Sequence, residues 1–341
     1  MFYCMLPGGM IFLLLFVQGT LMAQEERGDL RFVFYNVENL FDPFSDSLTL
    51  DDEFTPGGSR NWTWARFLEK EQKICKVLAS AGGWDPPELI GLCEVENRFV
   101  LNWLAGETPL LKYNYSIIHR DSPDERGIDV ALLYLPSKFC PLEWKYIPVA
   151  GLTDPTRDVL YVRGLVMDRD TLHLVICHFP SRWEGYLESL PERTEAARTV
   201  RQLLDSLLHA CNRPRILLAG DMNDELSDPG LESVLRVRMP GKSIRDSCIY
   251  HTGPAQGGFP GTLKYHGRWY EFDHIFVSGS FYKDSSLFVL PGGKTIHAPS
   301  FLLEKDPAVP GIRPFRTYNG YKYHGGFSDH LPVYIDIRRR E

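Results

Sequence analysis

The sequence predicts an α+β chain in which sheets pack on each other with a few helices outside, in one domain. Three observations predict it. Strand-like apolar runs recur with few helical stretches between them, no internal repeat is evident, and no Ser- or Pro-rich linker divides the chain. The 341 residues are 44% hydrophobic and 24% charged, which supports a sizeable globular core. A formal net charge of -7, from 37 basic and 44 acidic residues, gives no general attraction to nucleic acid or anionic membrane, though it is compatible with a local basic patch.

The N-terminus stands apart. Met10 to Val17 is almost wholly apolar, and Gln18 to Ala23 is mostly small or neutral before the polar Gln24-Glu25-Glu26-Arg27. The apolar run is too short to span a membrane, so residues 1–23 read as a secretory signal peptide cut near Ala23. The expected address is periplasmic or extracellular, with a catalytic domain over residues 28–340 and no membrane span after processing. Six cysteines lie beyond that point, widely spaced and without a CxxC pair, which argues against a zinc knuckle or a dense disulfide framework. One disulfide stays open as an alternative.

Leu30 to Tyr35 reads as a strand that runs into Asn36-Val37-Glu38-Asn39. Asp46 to Trp62 is polar and is expected to be a long surface loop. Apolar residues at Trp64, Phe67, Leu68, Ile74, Val77 and Leu78 approximate a helical stripe. Pro86-Pro87 introduces a strand over Leu89 to Cys93, ending in Glu94, and a short helix follows through Phe99 to Leu104. Ile128 to Leu135, Trp144 to Val149, Val159 to Met167 and Leu172 to Cys177 are strand-like. Pro191 sits where a first helical turn would begin, with Glu192 and Glu195 behind it. Ala196, Val200, Leu203, Leu204 and Leu207 form one face of that helix. The buried strand Ile216 to Ala219 ends in Gly220-Asp221, and further strands cover Phe272 to Val277 and Leu331 to Ile337. Pro291 to Phe327 has little regular pattern, and a loop that long in a compact domain is usually functional.

Several of these strands end in polar residues that suit a single site. Asn36 follows the first strand, Glu94 the second, His178 a third, and Asp221 and Asn223 the central one. Asp273-His274 interrupts Glu271 to Val277, and Ser328-Asp329-His330 precedes the last strand. Each has an ordinary explanation as a turn, cap, paired or core residue, but six coincidences of strand-end placement are improbable together. Alternation places Asp221 and Asn223 on the same side, so both could face one ligand. A carboxylate that takes a proton from water, beside an amide that holds an oxygen, suits hydrolysis at a metal.

Tyr35-Asn36-Val37-Glu38-Asn39-Leu40, Cys93-Glu94, Gly220-Asp221-Met222-Asn223, Phe272-Asp273-His274-Ile275 and Ser328-Asp329-His330-Leu331-Pro332-Val333 occur in the order seen in the endonuclease/exonuclease/phosphatase superfamily, which the chain resembles over about residues 30 to 338. That resemblance implies a four-layer α/β/β/α sandwich of two mainly antiparallel sheets, with the site at one edge. It also implies hydrolysis of a phosphate ester with Mg2+, or Mn2+, as cofactor. By the same resemblance Glu94, Asn36 and Asp329 hold the metal, and Asp221 orients and deprotonates the attacking water. Asn223 holds that water or a phosphate oxygen, His330 stabilises charge on phosphorus with Asp273 as its carboxylate partner, and His178 contacts the phosphate from the other side.

Substrate contacts are expected from Arg126, which precedes a strand, and from Arg182, just after His178. Arg313, Arg316 and Tyr318, in the irregular segment, are candidates for further phosphates and for stacking on bases or sugars. The leading function is an exported phosphodiesterase or nuclease, whose partner is a phosphate ester such as nucleic acid. A phosphomonoesterase for a small phosphorylated compound is the alternative, and a silent binding protein on the same fold is the third reading. No protein partner is implied.

Overall fold

The structure is a computed structural model that describes residues 27–340 apart from 84, 153, 254–257, 284–285 and 291–292. The expected signal peptide lies outside the described residues. In chain order the elements begin with β1 (Leu30–Leu40), α1 (Trp64–Ala81), β2 (Leu89–Val95), α2 (Arg98–Gly106), β3 (Ser116–Ile118), β4 (Asp129–Tyr134), β5 (Phe139–Ile147), β6 (Val159–Val166), β7 (Asp170–His178) and α3 (Leu190–Ala210). They continue with β8 (Ile216–Asp221), β9 (Ile249–His251), β10 (Leu263–Tyr265), β11 (Arg268–Tyr270), β12 (Asp273–Ser278), β13 (Leu287–Val289) and β14 (Thr295–Ile296). The last are β15 (Leu303–Lys305), β16 (Ile312–Pro314), β17 (Tyr318–Asn319), β18 (Lys322–Tyr323) and β19 (Val333–Arg339).

Two large sheets carry the fold. One runs β13-β19-β1-β2-β4-β3, with β14 also on β19, and the other runs β5-β6-β7-β8-β12-β9. Pairing is antiparallel except at the middle of each sheet, where β1 lies parallel to β2 and β7 parallel to β8. Parallel neighbours end on the same side, so each sheet brings two strand C-termini together. β7 and β8 approach closely because Gly220 has no side chain: a Cβ there would stand 2.3 Å from the Cys177 carbonyl oxygen.

Alternation along β8 assigns its faces. Leu217 and Ala219 belong to a core shared with Phe32 and Phe34 of β1, and Ile176 of β7, between the sheets. Ile216 and Leu218 join a second core with Ala196, Ala197, Val200 and Leu204 of α3. On the far side, α1 packs against β1 and α2. The layers are therefore helices, sheet, sheet and helix, as expected. Each fully buried leucine in these faces contributes roughly 1.5–3 kcal/mol from area removed from water.

Two expectations are corrected. The 46–62 segment is no free surface loop: Asp51, Phe54 and Trp62 are buried, Phe54 stacks on Phe41 with centroids 4.1 Å apart, and Trp62 Nε1 donates to the Phe41 carbonyl at 2.8 Å. Its few aromatic residues are too scattered to show a period, yet they bury enough area to fold it down. The 291–327 segment holds β14 and two small hairpins, β15 with β16 and β17 with β18. Strands of two or three residues are too short for alternation to reveal, which also hid β3, β9 and the β10–β11 hairpin. The six cysteines in the described residues are free. No helix of the described residues is long and apolar enough to cross a membrane.

Candidate active site

The two parallel pairs converge. Asn36 near the end of β1 and Glu94 near the end of β2 meet side chain to side chain, with Asn36 Nδ2 donating to Glu94 Oε1 at 3.0 Å. The same nitrogen crosses to the other sheet and donates to Asp221 Oδ2 at 2.9 Å. His178 and Asp221 are register partners at the ends of β7 and β8, and Asp273 at the start of β12 is the antiparallel register partner of Asp221. His330 comes from the segment before β19, where its amide donates to Ser328 Oγ and that hydroxyl donates to the Asn36 carbonyl.

Backbone irregularity lets these side chains turn inward. Glu38, Asn39, Glu94 and Asn223 all have positive φ, between 49° and 61°, and the β1–β2 register shifts between Asn36 and Leu40. Such conformations cost roughly 1–3 kcal/mol each in non-glycine residues and persist only where the surroundings enforce them. Here they are enforced by polar contacts: Glu94 Oε2 accepts the Asn39 amide at 2.9 Å, and Asn223 N donates to Asp221 Oδ1 at 3.0 Å.

Asp221 is the hub. Its Oδ2 lies 3.7 Å from His178 Nε2 and 3.6 Å from His330 Nε2. Both gaps are too long for a hydrogen bond, and they suit a shared water or phosphate oxygen. Burial pushes its carboxyl up to about 7; the neighbouring Asp273 adds to this, while His330 and the Asn36 amide oppose it. His330 Nδ1 is 2.7 Å from Asp273 Oδ2. Burial disfavours charge on His330, but the Asp273 and Asp221 carboxylates outweigh it and raise the imidazole well above its ordinary range. His178 goes the other way, held well below its usual range by burial and by Arg157 and Arg126. One histidine is thus held cationic and the other neutral.

The donors suit a hard cation. Glu94 keeps 16% of its side chain exposed, Asp329 adds a second carboxylate, and these oxygens are the set Mg2+ prefers. The buried Asp273 Oδ1 and His178 Nδ1 have no hydrogen-bond partner among the described residues. Asn36 departs from expectation: its Oδ1 accepts the Glu38 amide at 3.0 Å, so its amide nitrogen rather than its oxygen faces the carboxylates. Asn36 is therefore the bridge between Glu94 and Asp221 in this structure.

The arginines divide. Arg316 Nη2 donates to Asp329 Oδ2 at 2.8 Å, which brings it to the metal-side carboxylates. Arg126 stands beside Asp124, whose other oxygen takes the buried Arg157 at 2.9 Å, and Arg157 also donates to the Phe179 carbonyl. Arg182 is not free for substrate: its guanidinium donates to the Asn223 carbonyl, to Asp224 and to Asp228, and it lies over the Phe272 ring. Arg313 is spent on Glu304 and Asn319, and Tyr318 is 4% exposed between Phe54 and Trp62. Neither is placed to bind substrate, because the hairpins they belong to fold back on the domain. The sequence reading missed Arg157 and Glu38. Arg157 sits just before a strand, as Arg126 does, and that shared position was its only signal. Glu38 accepts the Thr317 and Tyr318 amides and so tethers the start of the β17–β18 hairpin beside the site.

The sequence matches the Endonuclease/Exonuclease/phosphatase family over residues 31–339. The chain belongs to that family. Members are metal-dependent phosphoesterases and nucleases, so the chain is an enzyme of the phosphoester-hydrolase kind. Among solved structures it is similar to an endonuclease/exonuclease/phosphatase from Bacteroides vulgatus, with 14% identity, a TM-score of 0.57, and 91% of this chain and 99% of that one covered. TDP2 from D. rerio in complex with a single-strand DNA product gives 16%, 0.55, and 91% and 98%. The human Nocturnin catalytic domain with bound sulfate gives 15%, 0.53, and 91% and 94%. At these identities the likeness concerns the fold. No curated protein matches the sequence.

Proposed function

We propose that the chain is an exported, Mg2+-dependent phosphodiesterase or nuclease that cleaves a phosphate ester by attack of water. The observation that carries this reading is Asp221, buried between a neutral His178 and a cationic His330 and tied through Asn36 to the Glu94 carboxylate. Glu94 and Asp329 would hold the cation, which when bound supplies Lewis-acid charge to a phosphate oxygen. Asp221 orients the attacking water and accepts its proton, a task suited to a carboxyl raised toward neutrality. Asn223, whose Nδ2 is held by the Phe179 carbonyl at 3.1 Å, stands beside that water. His330 carries its positive charge to the phosphoryl oxygens, and Asp273 keeps it oriented and protonated. His178 donates to the phosphate from the opposite side. Arg126 and Arg316 are the basic side chains placed to reach a non-bridging oxygen.

A phosphomonoesterase is the second reading, favoured by the Arg126 and Arg157 pair beside His178, which suits a doubly charged phosphate. Plasmid DNA, bis-p-nitrophenyl phosphate and an inositol phosphate, each assayed with Mg2+ and with EDTA, separate the two. Diester cleavage that EDTA abolishes supports the first reading. Turnover of the inositol phosphate alone supports the second, and no turnover of any substrate sinks both.

A further inference from the structure

A second group of ligating side chains lies on the reverse of β12. Ile275 and Val277 belong to the core between the sheets, and alternation puts Asp273 on their side, where it meets His330. Phe276 belongs to the α3 side, and His274 shares that outer face. β9 places His251 opposite Phe276, so the two histidines are neighbours there, with ring centroids 6.1 Å apart. Glu271, just before β12, completes the group. One nitrogen from each ring and one Glu271 oxygen all lie within 4.8 Å of one another. Glu271 Oε1 is 3.4 Å from His251 Nε2 and 3.9 Å from His274 Nδ1. Zinc holding tetrahedral ligands at about 2.1 Å sets them about 3.4 Å apart, close to both spacings.

His251 and His274 are 2% and 0% exposed, and neither His251 Nε2 nor His274 Nδ1 has a hydrogen-bond partner among the described residues. His274 Nε2 meets the Asp224 carbonyl at 2.9 Å. A carbonyl only accepts, so the neutral ring carries its proton on Nε2 and presents a bare Nδ1 lone pair on the Glu271 side. Metal-bound imidazoles are held in the same way, with the outer N–H on a carbonyl. Burial keeps both rings neutral, lowering His274 to about 3 and His251 below its ordinary value. Two imidazoles and a carboxylate suit zinc, whereas calcium and magnesium prefer oxygen throughout. Glu271 keeps 27% of its side chain exposed, which leaves room for a water as fourth ligand. The wholly buried Lys294 ammonium competes, donating to Glu271 Oε1 and, at 3.0 Å, to the Asp273 carbonyl. It neutralises the carboxylate but leaves both imidazole nitrogens unsatisfied, while zinc satisfies all three. His251 Nδ1 accepts the Gly253 amide at a long 3.3 Å, a contact that gives way when the ring proton moves from Nε2 to Nδ1.

We propose that His251, Glu271 and His274 form a zinc site, on the opposite face of β12 from the hydrolytic centre, that fastens β9 to the start of β12. The rival occupant is the Lys294 ammonium alone. The test titrates chelator-treated full chain with Co2+ in excess Mg2+ and reads the visible absorption of tetrahedral cobalt, which stands in for zinc. One tetrahedral Co2+ per chain is expected, displaced by Zn2+, which binds such sites more tightly. His251→Gln and His274→Gln should each weaken binding at least about tenfold. Lys294→Met removes the competing charge and should tighten it about tenfold or more. No tetrahedral band in the parent chain would leave the ammonium as occupant and overturn the proposal. A band undiminished in either histidine variant would place the ion elsewhere and overturn it equally, and an affinity unchanged in Lys294→Met would count against it. Phosphoester turnover is not read, so the outcome is independent of the function proposed above.

Discussion

At the scale of single residues, Asp221 draws its chemistry from what surrounds it. Its carboxylate faces two imidazoles 3.6 and 3.7 Å away and one amide at 2.9 Å, and the side chain is almost wholly buried. In the proposed mechanism, removing it leaves no base for the attacking water, and removing His330 leaves Asp273 buried without its partner. Asp221→Ala and His330→Ala are each expected to lower kcat by about a thousandfold or more, with circular dichroism and urea unfolding still showing a folded chain. Full activity in either variant would refute its assigned role. These two residues were legible from strand-end position and from resemblance. The opposite charge states of His178 and His330 were not, because they depend on which carboxylates and guanidiniums the fold sets beside each ring.

At the scale of elements, the parallel β1–β2 and β7–β8 pairs assemble the site, and a layer behind it holds the loop after β8. Asp224, wholly buried, takes Arg193 at 2.6 Å and Arg182 at 3.1 Å, while Arg182 grips the Asn223 carbonyl at 2.5 Å. Arg182 therefore positions Asn223, whose backbone sits at φ 49°. Arg182→Ala should reduce kcat about tenfold while KM changes less than about twofold, since in the proposed mechanism an interaction made through Asn223 alters the transition state more than substrate binding. Steady-state kinetics on the substrate found in the panel decides this. A rise in KM at constant kcat would return Arg182 to direct substrate contact. Sequence placed Arg182 near the site correctly but could not show where its guanidinium points, because three acceptors from another loop claim it.

The whole molecule joins its outer layer to its last strand through a half-buried histidine. His297 Nε2 is 2.9 Å from Ser80 Oγ near the end of α1, and its backbone N–H donates to the Pro332 carbonyl, just before β19. Burial, aided by the Arg31 charge, lowers its pKa to about 4. The unfolded chain would hold that proton from about pH 6.5 downward. Unfolding therefore takes up a proton between about pH 6.5 and 4, and the contribution of His297 to stability is lost as pH falls through that window. His297→Gln can keep the bond to Ser80 without titrating. Its unfolding free energy should drop less than that of the parent between those pH values, as urea titrations at each pH would show. An equal drop in both proteins would rule out this linkage.

Composition, strand punctuation and the spaced acids were enough to establish the α+β class, the order of the main elements and the family resemblance. Local apolar periodicity and short polar motifs are written into consecutive residues, so they survive without coordinates. Only the tertiary structure decided how those motifs meet: Asn36 turns its nitrogen to Glu94 and Asp221, and Tyr318 and Arg313 fold away. Such choices follow from which donor or acceptor a distant strand offers to a buried polar group. Chain neighbours carry no record of that pairing.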